Sequence, residues 1–132
     1  MRRHLTFLLA AQLLPLNSLA ATDAEMATLR RAAEELNASL PAARDGATPE
    51  NITVGPGYSW TFHITLANNV YSQDLVDSIN AYAPQLAKRF CGMLMPTRVF
   101  SSKGLITRVE YRDRDGREVF SMVLDRASCE GA

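Results

Sequence analysis

The first helical pattern in the chain begins after residue 20. Apolar side chains recur at spacings of three and four between residues 26 and 40, which is the period of one face of an α-helix. Thr22 and Glu25 have the spacing of a capping box, in which each side chain bonds the backbone of the other. Pro41 cannot continue a helix. These features predict one amphipathic helix that stops at Pro41, followed by a surface linker over residues 41–50.

The pattern changes to alternation after Gly55-Pro56-Gly57, a strong turn signal. Apolar residues then alternate with polar ones: Tyr58, Trp60, Phe62, Ile64 and Leu66, with Ser59, Thr61, His63 and Thr65 between them. A period of two is typical of a β-strand with one buried face. We predict that this strand pairs as a hairpin with a short strand that contains Ile52 and Val54.

A second helix is predicted from Ser72, a residue type that favours the N-cap position. Its inward face would carry the apolar side chains Leu75, Val76, Ile79, Leu86 and Phe90. Pro84 lies inside this helix, where a proline removes a hydrogen bond and collides with the preceding turn. We therefore expect a kink, or two short helices that meet near residues 82 and 83. Pro96 would start one further short helical turn, ended by Gly104.

Two strand-like runs, residues 105–111 and 118–124, follow the second helix. The segment between them contains Gly116, which tolerates the positive φ of a hairpin turn. The predicted order is helix, two strands, helices, two strands. Consecutive hairpins favour antiparallel pairing, and amphipathic helices need a sheet face to cover. We therefore predict an α+β fold: an antiparallel sheet of about four strands with amphipathic helices packed on it.

Residues 1–20 have the pattern of a secretory signal peptide. A basic start precedes an apolar run over residues 5–16, and Ser18 and Ala20 are the small residues of a site for cleavage after Ala20. The run is shorter than the roughly 18 to 20 residues that a spanning helix requires, so no transmembrane anchor is predicted. Residues 21–132 would form a single domain in the periplasm or outside the cell.

The charge balance argues against one class of partner. The whole chain has 14 basic and 14 acidic side chains, and loss of Arg2 and Arg3 with the signal leaves 12 and 14, a net charge of −2. A mildly acidic chain without a run of Lys or Arg does not favour contact with phosphate backbones. We therefore predict no nucleic-acid partner.

The two cysteines, Cys91 and Cys129, both lie after the predicted signal. An exported domain folds in an oxidising compartment, where an even pair is expected to join. A bridge would close a loop of about 39 residues, worth about 4 kcal/mol in the chain-entropy model. A reactive thiol or a metal pair is the alternative, but the chain has no Cys-x-x-Cys motif and only one His after the signal. We predict a Cys91–Cys129 disulfide.

The remaining histidine, His63, is the one candidate for a general base or a metal ligand. It alternates with Thr61 and Thr65 on the polar side of a strand, where an exposed polar residue is ordinary. The chain also lacks the Gly-x-Ser-x-Gly motif of many hydrolases. We therefore predict no catalytic residue, no metal ion and no cofactor.

Two further motifs have a structural interpretation. Asp113, Asp115 and Gly116 resemble the start of a calcium loop, but the later ligands of such a loop are missing, and a hairpin turn is favoured. The segments that begin at Asn37 and Asn51 match the Asn-x-Ser/Thr glycosylation pattern, which matters only in a eukaryotic secretory route.

The aromatic strand supplies a candidate recognition surface, made of Tyr58, Trp60 and His63. Aromatic residues anchor many protein interfaces. Trp60 and Phe62 can instead fill the core beneath a helix, and this is the favoured interpretation. Tyr58, beside the turn, is then the aromatic residue expected to be exposed.

The motifs taken together resemble a family of small exported proteins of Gram-negative bacteria. The similarity covers most of the chain after the signal and is carried by Leu36-Asn37 with Leu40-Pro41, Gly55-Pro56-Gly57 with Trp60-Thr61-Phe62-His63, Pro84-Gln85-Leu86 before Cys91, and Tyr111-Arg112-Asp113 with Asp115-Gly116 before Cys129. One related protein of pseudomonads is a candidate virulence-associated secreted protein. The resemblance implies export and a disulfide, and it implies no active-site residues.

We therefore predict a non-enzymatic module that binds another periplasmic or secreted protein, as an inhibitor, an immunity-type factor or an assembly accessory factor. The first alternative is a small domain that holds an apolar ligand between the sheet and the second helix. The second alternative is a minimal hydrolase, which requires His63 to lie in a cleft near a hydroxyl or carboxylate group.

Overall fold

A computed structural model describes residues 21–97, 99–100 and 104–131. The predicted signal peptide lies outside these residues, and so does part of the short turn predicted between Pro96 and Gly104. The elements are α1 (Asp23–Asn37), β1 (Ala47–Val54), β2 (Ser59–Leu66), α2 (Gln73–Leu94), β3 (Ile106–Asp113), β4 (Glu118–Leu124) and α3 (Arg126–Glu130). No helix in this part of the chain is long and apolar enough to cross a membrane.

The four strands form one sheet in the order β1-β2-β3-β4. The outer pairs, β1–β2 and β3–β4, are antiparallel hairpins as predicted, whereas the central pair β2–β3 runs parallel. Parallel neighbours need a long crossover, and the 22-residue helix α2 supplies it between β2 and β3. The predicted α+β class with a four-stranded sheet is confirmed, and the sheet is mostly antiparallel.

Both predicted helix starts are confirmed by their caps. Thr22 and Glu25 form the capping box of α1, with Oγ1 of Thr22 accepting from the Glu25 N–H at 3.1 Å. Ser72 caps α2 and accepts from the Leu75 N–H at 3.0 Å. The linker predicted over residues 41–50 is shorter than expected, because β1 already begins at Ala47.

Helix α2 continues through Pro84 as one element. The prediction of two short helices is wrong, because partly buried side chains on both sides of Pro84, such as Ile79 and Leu86, pack on one core. This shared packing offsets the hydrogen bond that a proline removes from a helix.

The core lies between the helices and one face of the sheet. Its most deeply buried apolar side chains are Leu29, Trp60, Leu94, Phe100, Leu105 and Val109. The indole Nε1 of Trp60 donates to Oγ1 of Thr107 at 2.6 Å, which satisfies both polar groups inside this core. The opposite sheet face carries polar side chains, among them His63, Glu110 and Arg112.

The predicted disulfide between Cys91 and Cys129 is confirmed, with Cα atoms 5.3 Å apart. It joins the last turn of α2 to α3, a five-residue helix that the hydrophobic pattern does not predict, because so short a segment shows no period. The signal for α3 lies in its cap. Asp125 accepts from the Ser128 N–H at 2.7 Å, and the Ser128 hydroxyl accepts from the Asp125 N–H at 2.9 Å.

The β3–β4 hairpin turns at Gly116, with φ of +88°, as predicted. Asp113 organises this turn: Oδ1 accepts from the N–H groups of Asp115 and Arg117, both at 2.9 Å, and Oδ2 accepts from the Tyr71 N–H at 2.8 Å. These bonds, led by the one from Tyr71, lower the pKa of Asp113. Because its oxygens are committed to backbone N–H groups, the hairpin interpretation of this motif holds and the calcium loop is wrong.

Candidate functional site

The two long helices cover the same sheet face but lie over opposite sides of it. Helix α1 packs on β1 and α2 packs on β4, and the helices make little contact with each other. A groove therefore opens between them above the middle of the sheet. We call it the interhelical groove. Its apolar lining consists of Leu36, Leu40, Ile52, Phe62, Ile64, Phe90 and Met93, around a cavity of about 230 Å³.

A second cavity of about 470 Å³ lies beside the interhelical groove, on the other side of Leu36 along α1, and the residues that follow α2 form its other wall. It shares Leu36 with the first and is lined further by Thr28, Ala32, Thr97 and Val99, with Trp60 at its floor. From Thr28 to Leu36 the helix rises about 12 Å at 1.5 Å per residue. The two cavities together make an elongated trough along α1.

Two apolar side chains on the walls of the groove are exposed. Leu36 on α1 is 42% exposed and Met93 on α2 is 53% exposed. Apolar side chains that remain open to solvent around a buried apolar floor are typical of a surface that binds a partner. Met is suited to such a wall because its flexible thioether adapts to different ligand shapes.

The walls are held in place at the ends of both helices. Asn37, the last residue of α1, bonds the backbone of Ile52 twice: its Nδ2 donates to the carbonyl at 2.8 Å and its Oδ1 accepts from the N–H at 2.7 Å. The Cys91–Cys129 bridge fixes α2 two residues before Met93. The groove is therefore formed before any ligand arrives, which reduces the entropy lost on binding.

The charges beside the groove are few. Arg44 is the charged residue of the first cavity, at the Leu40 end, while Arg31 and Glu35 line the second cavity. A ligand with an apolar face and a carboxylate near Arg44 would match this arrangement.

His63 lies on the opposite face of the sheet from the groove. Its Nε2 is 2.8 Å from Oγ1 of Thr53, and its Nδ1 is 3.4 Å from Oε2 of Glu110. Arg112 contacts the same Glu110 oxygen at 3.4 Å. The hydroxyl and carboxylate groups that a hydrolase requires are thus near His63. His63, its two partners and Arg112 nevertheless lie on the sheet face opposite the groove, and the two groove cavities are lined by other residues.

The candidate recognition surface of Tyr58, Trp60 and His63 is not brought together. Trp60 is 1% exposed, so its assignment to an exposed surface is wrong and its assignment to the core is correct. Tyr58 is partly buried against the core, and His63 points to the other face, because neighbouring strand positions alternate.

The inner faces of both helices were predictable from the sequence, but the groove between them was not. Leu36, Leu40 and Phe90 belong to the predicted apolar stripes, and Met93 follows Phe90 at helical spacing. That these side chains line an opening depends on the separation of α1 and α2. The sequence contains no local signal for that distance. Within the described residues, no group of three or more His, Cys, Asp or Glu side chains could hold a metal ion.

The fold resembles those of exported bacterial proteins. A candidate secreted protein from Pseudomonas aeruginosa superposes with a TM-score of 0.62 and 13% identity, over 83% of this chain and 99% of that protein. The pilotin EpsS of the Vibrio vulnificus type 2 secretion system has a TM-score of 0.53 and 16% identity, over 80% of this chain and 92% of the pilotin. The pilotin AspS of the Vibrio cholerae type II secretion system has a TM-score of 0.48 and 17% identity, over 80% and 93%.

What is shared is the fold. No family model and no curated protein sequence matches the chain, and these identities are too low to extend the likeness beyond architecture. The fold is thus shared with a secreted protein and with a secretion-system pilotin.

Proposed function

We propose that the protein is an exported, non-enzymatic accessory protein that binds an apolar segment of another exported protein in the interhelical groove. The observation that carries this proposal is the exposure of two apolar side chains, Leu36 and Met93, on the walls of the groove, above an apolar floor that includes Phe62. The fold of a type 2 secretion pilotin supports an assembly role over that of an inhibitor or an immunity-type factor.

The proposed occupant is an amphipathic helix. The trough follows α1 from Thr28 to Leu36 and continues to Leu40, a length that matches about three turns of helix, or roughly 16 Å. Apolar side chains spaced three and four residues apart would enter the two cavities on either side of Leu36. An acidic residue at one end would pair with Arg44.

A small apolar ligand is the alternative. The more apolar cavity, at about 230 Å³, is smaller than the roughly 300–1,000 Å³ of most small-molecule sites. It is also part of a longer open trough, a shape that fits side chains of a partner better than a compact ligand. A partner protein therefore remains the proposal.

Site-specific photo-crosslinking in the native host tests the proposed function. A benzophenone amino acid is placed at Met93 in the groove and, as a control, at Asn51, which is exposed on the opposite sheet face. We expect one discrete adduct from position 93, absent from position 51 and removed by L36D. Leu36 is 42% exposed, so this variant should fold normally, which circular dichroism checks.

Two results would overturn the proposal. One is equal labelling from positions 93 and 51, because it would show that the partner does not bind specifically in the groove. The other is a small apolar molecule retained in native mass spectrometry and lost in L36D, which would establish the ligand-binding alternative. The hydrolase alternative requires an activity that is lost in H63A.

A further inference from the structure

The two edges of the sheet differ in how well they are protected. On β1, the backbone N–H and C=O of Ile52 that point away from β2 are both bonded by the side chain of Asn37. Pro49 has no N–H to offer, and the register shifts between Pro49 and Asn51. Proline, irregular register and a covering side chain are the devices by which proteins prevent a further strand from adding to a sheet edge.

The other edge, β4, has fewer of these devices. Its sequence from Glu118 to Leu124 contains no Pro, Lys or Arg, and β3 is the one strand paired with it among the described residues. Its register irregularity lies at the Arg112 end, which leaves the regular stretch from Phe120 to Leu124. An unprotected edge of this kind is a template for one more strand.

We propose that β4 pairs antiparallel with β4 of a second copy of this chain, across a two-fold axis, so that two sheets join into one. Such an interface is isologous, because the same segment of each copy contacts itself. The proposal is independent of the groove, which lies between the helices.

The charges that flank β4 favour this occupant. Arg117 and Glu118 lie at one end of the strand, and Asp125 and Arg126 lie at the other. In an antiparallel pair centred on Ser121, Arg117 of each copy lies opposite Asp125 of the other. Parallel pairing would instead place like charges together, which is unfavourable.

A pair centred on Met122, one residue further along the strand, shifts the register by two residues and gives the same result. It places Glu118 opposite Arg126, whose Nε lies 2.9 Å from Glu130 Oε1 within one copy. Both central registers therefore join opposite charges across the seam. This self-complementarity is a property of the strand and its flanks, and an unrelated partner strand would not share it.

Exposed apolar side chains lie beside the same edge. Val123, on β4, is 54% exposed, more than any other large apolar residue that the structure describes, and Ile106, on β3, is 39% exposed. In the register of the sheet, Val123 pairs with Arg108, two residues from Ile106. A second sheet continuing from β4 would cover part of this apolar surface, which gives the pairing a hydrophobic contribution.

Sedimentation velocity over a range of protein concentrations measures the association. We expect a monomer–dimer equilibrium for the oxidised protein. V123K places a lysine on the exposed face of the edge strand and should raise the dimer dissociation constant about tenfold or more. N51K makes the same change at an exposed position on the guarded strand β1 and should leave the constant unchanged.

A cross-link locates the seam. S121C should form a disulfide between two copies on mild oxidation, whereas N51C should not, and peptide mapping confirms that Cys91 and Cys129 stay paired. A chain that is monomeric at every concentration overturns the proposal. A dimer that N51K weakens and V123K does not also overturns it, because it would place the interface elsewhere.

Discussion

Replacement of Asn37 by alanine tests how the α1 wall is held. The side chain makes two hydrogen bonds to the backbone of Ile52, at 2.8 and 2.7 Å, in a partly buried setting. Each such bond contributes about 0.5–1.5 kcal/mol net, so N37A should lower the free energy of unfolding by about 1–3 kcal/mol. It also leaves an edge N–H and C=O without their partner.

Urea denaturation monitored by tryptophan fluorescence measures this loss, since Trp60 is the one tryptophan in the chain and is buried. With an m value of about 1–3 kcal/mol per molar urea, the midpoint should fall by roughly 1 M at an unchanged slope. N37D should be worse than N37A at neutral pH, because a carboxylate would face the Ile52 carbonyl where the amide now donates.

N80A is the matched control. Asn80 is exposed on α2 and its Nδ2 donates to the Val76 carbonyl at 3.0 Å, a bond within one helix. Its loss should change stability by about 0.5 kcal/mol or less. If N37A and N80A lowered the free energy of unfolding by the same small amount, the two bonds to Ile52 would not fix α1 in place. The groove would then not be preformed.

Three further predictions follow from the described contacts. C91S/C129S should lose about 4 kcal/mol, measured by the same urea titration, and stability unchanged by the double substitution would contradict the entropic account. The pKa of Asp113 is lowered in the folded chain, so its carboxylate should stabilise the fold at pH values above its unfolded pKa of about 3.9. This stabilisation should be lost as the pH falls through the folded pKa. If the stability of a D113N variant fell equally with acid, this role of Asp113 would be refuted. H63A should change the free energy of unfolding by about 1 kcal/mol or less and leave the crosslink from position 93 intact. The reason is that His63 contacts Thr53 and Glu110 on the sheet face opposite the groove. Loss of that crosslink would contradict the separation of the two faces.

The sequence was informative wherever a residue acts on its neighbours. The caps at Thr22 and Ser72 and the turn at Gly116 depend on contacts within a few residues, and all three were predicted. The disulfide was predictable because the sequence predicts export and contains two cysteines, which leave one pairing.

Long-range arrangement was the part that sequence patterns could not supply. The parallel pairing of β2 with β3 depends on where α2 returns the chain. Apolar and polar residues alternate in the same way in parallel and antiparallel strands of this sheet, so the sequence pattern does not distinguish the two kinds of pairing. The continuity of α2 through Pro84 depends on a core that both halves of the helix share. The groove depends on the gap between α1 and α2, which no local spacing encodes.

The hydrogen bonds between Asn37 and Ile52 affect the choice of expression host for the protein. Asn37-Ala38-Ser39 matches the acceptor pattern for N-linked glycans, and the amide nitrogen that would carry the sugar is the one that donates to Ile52. In a eukaryotic secretory host, glycan transfer to the Asn37 amide would therefore compete with the hydrogen bond that joins α1 to β1. Bacterial expression avoids this competition. In yeast or insect cells, S39A would remove this acceptor pattern, but not the one at Asn51, at the loss of a single exposed hydrogen bond, from the serine hydroxyl to the Leu36 carbonyl.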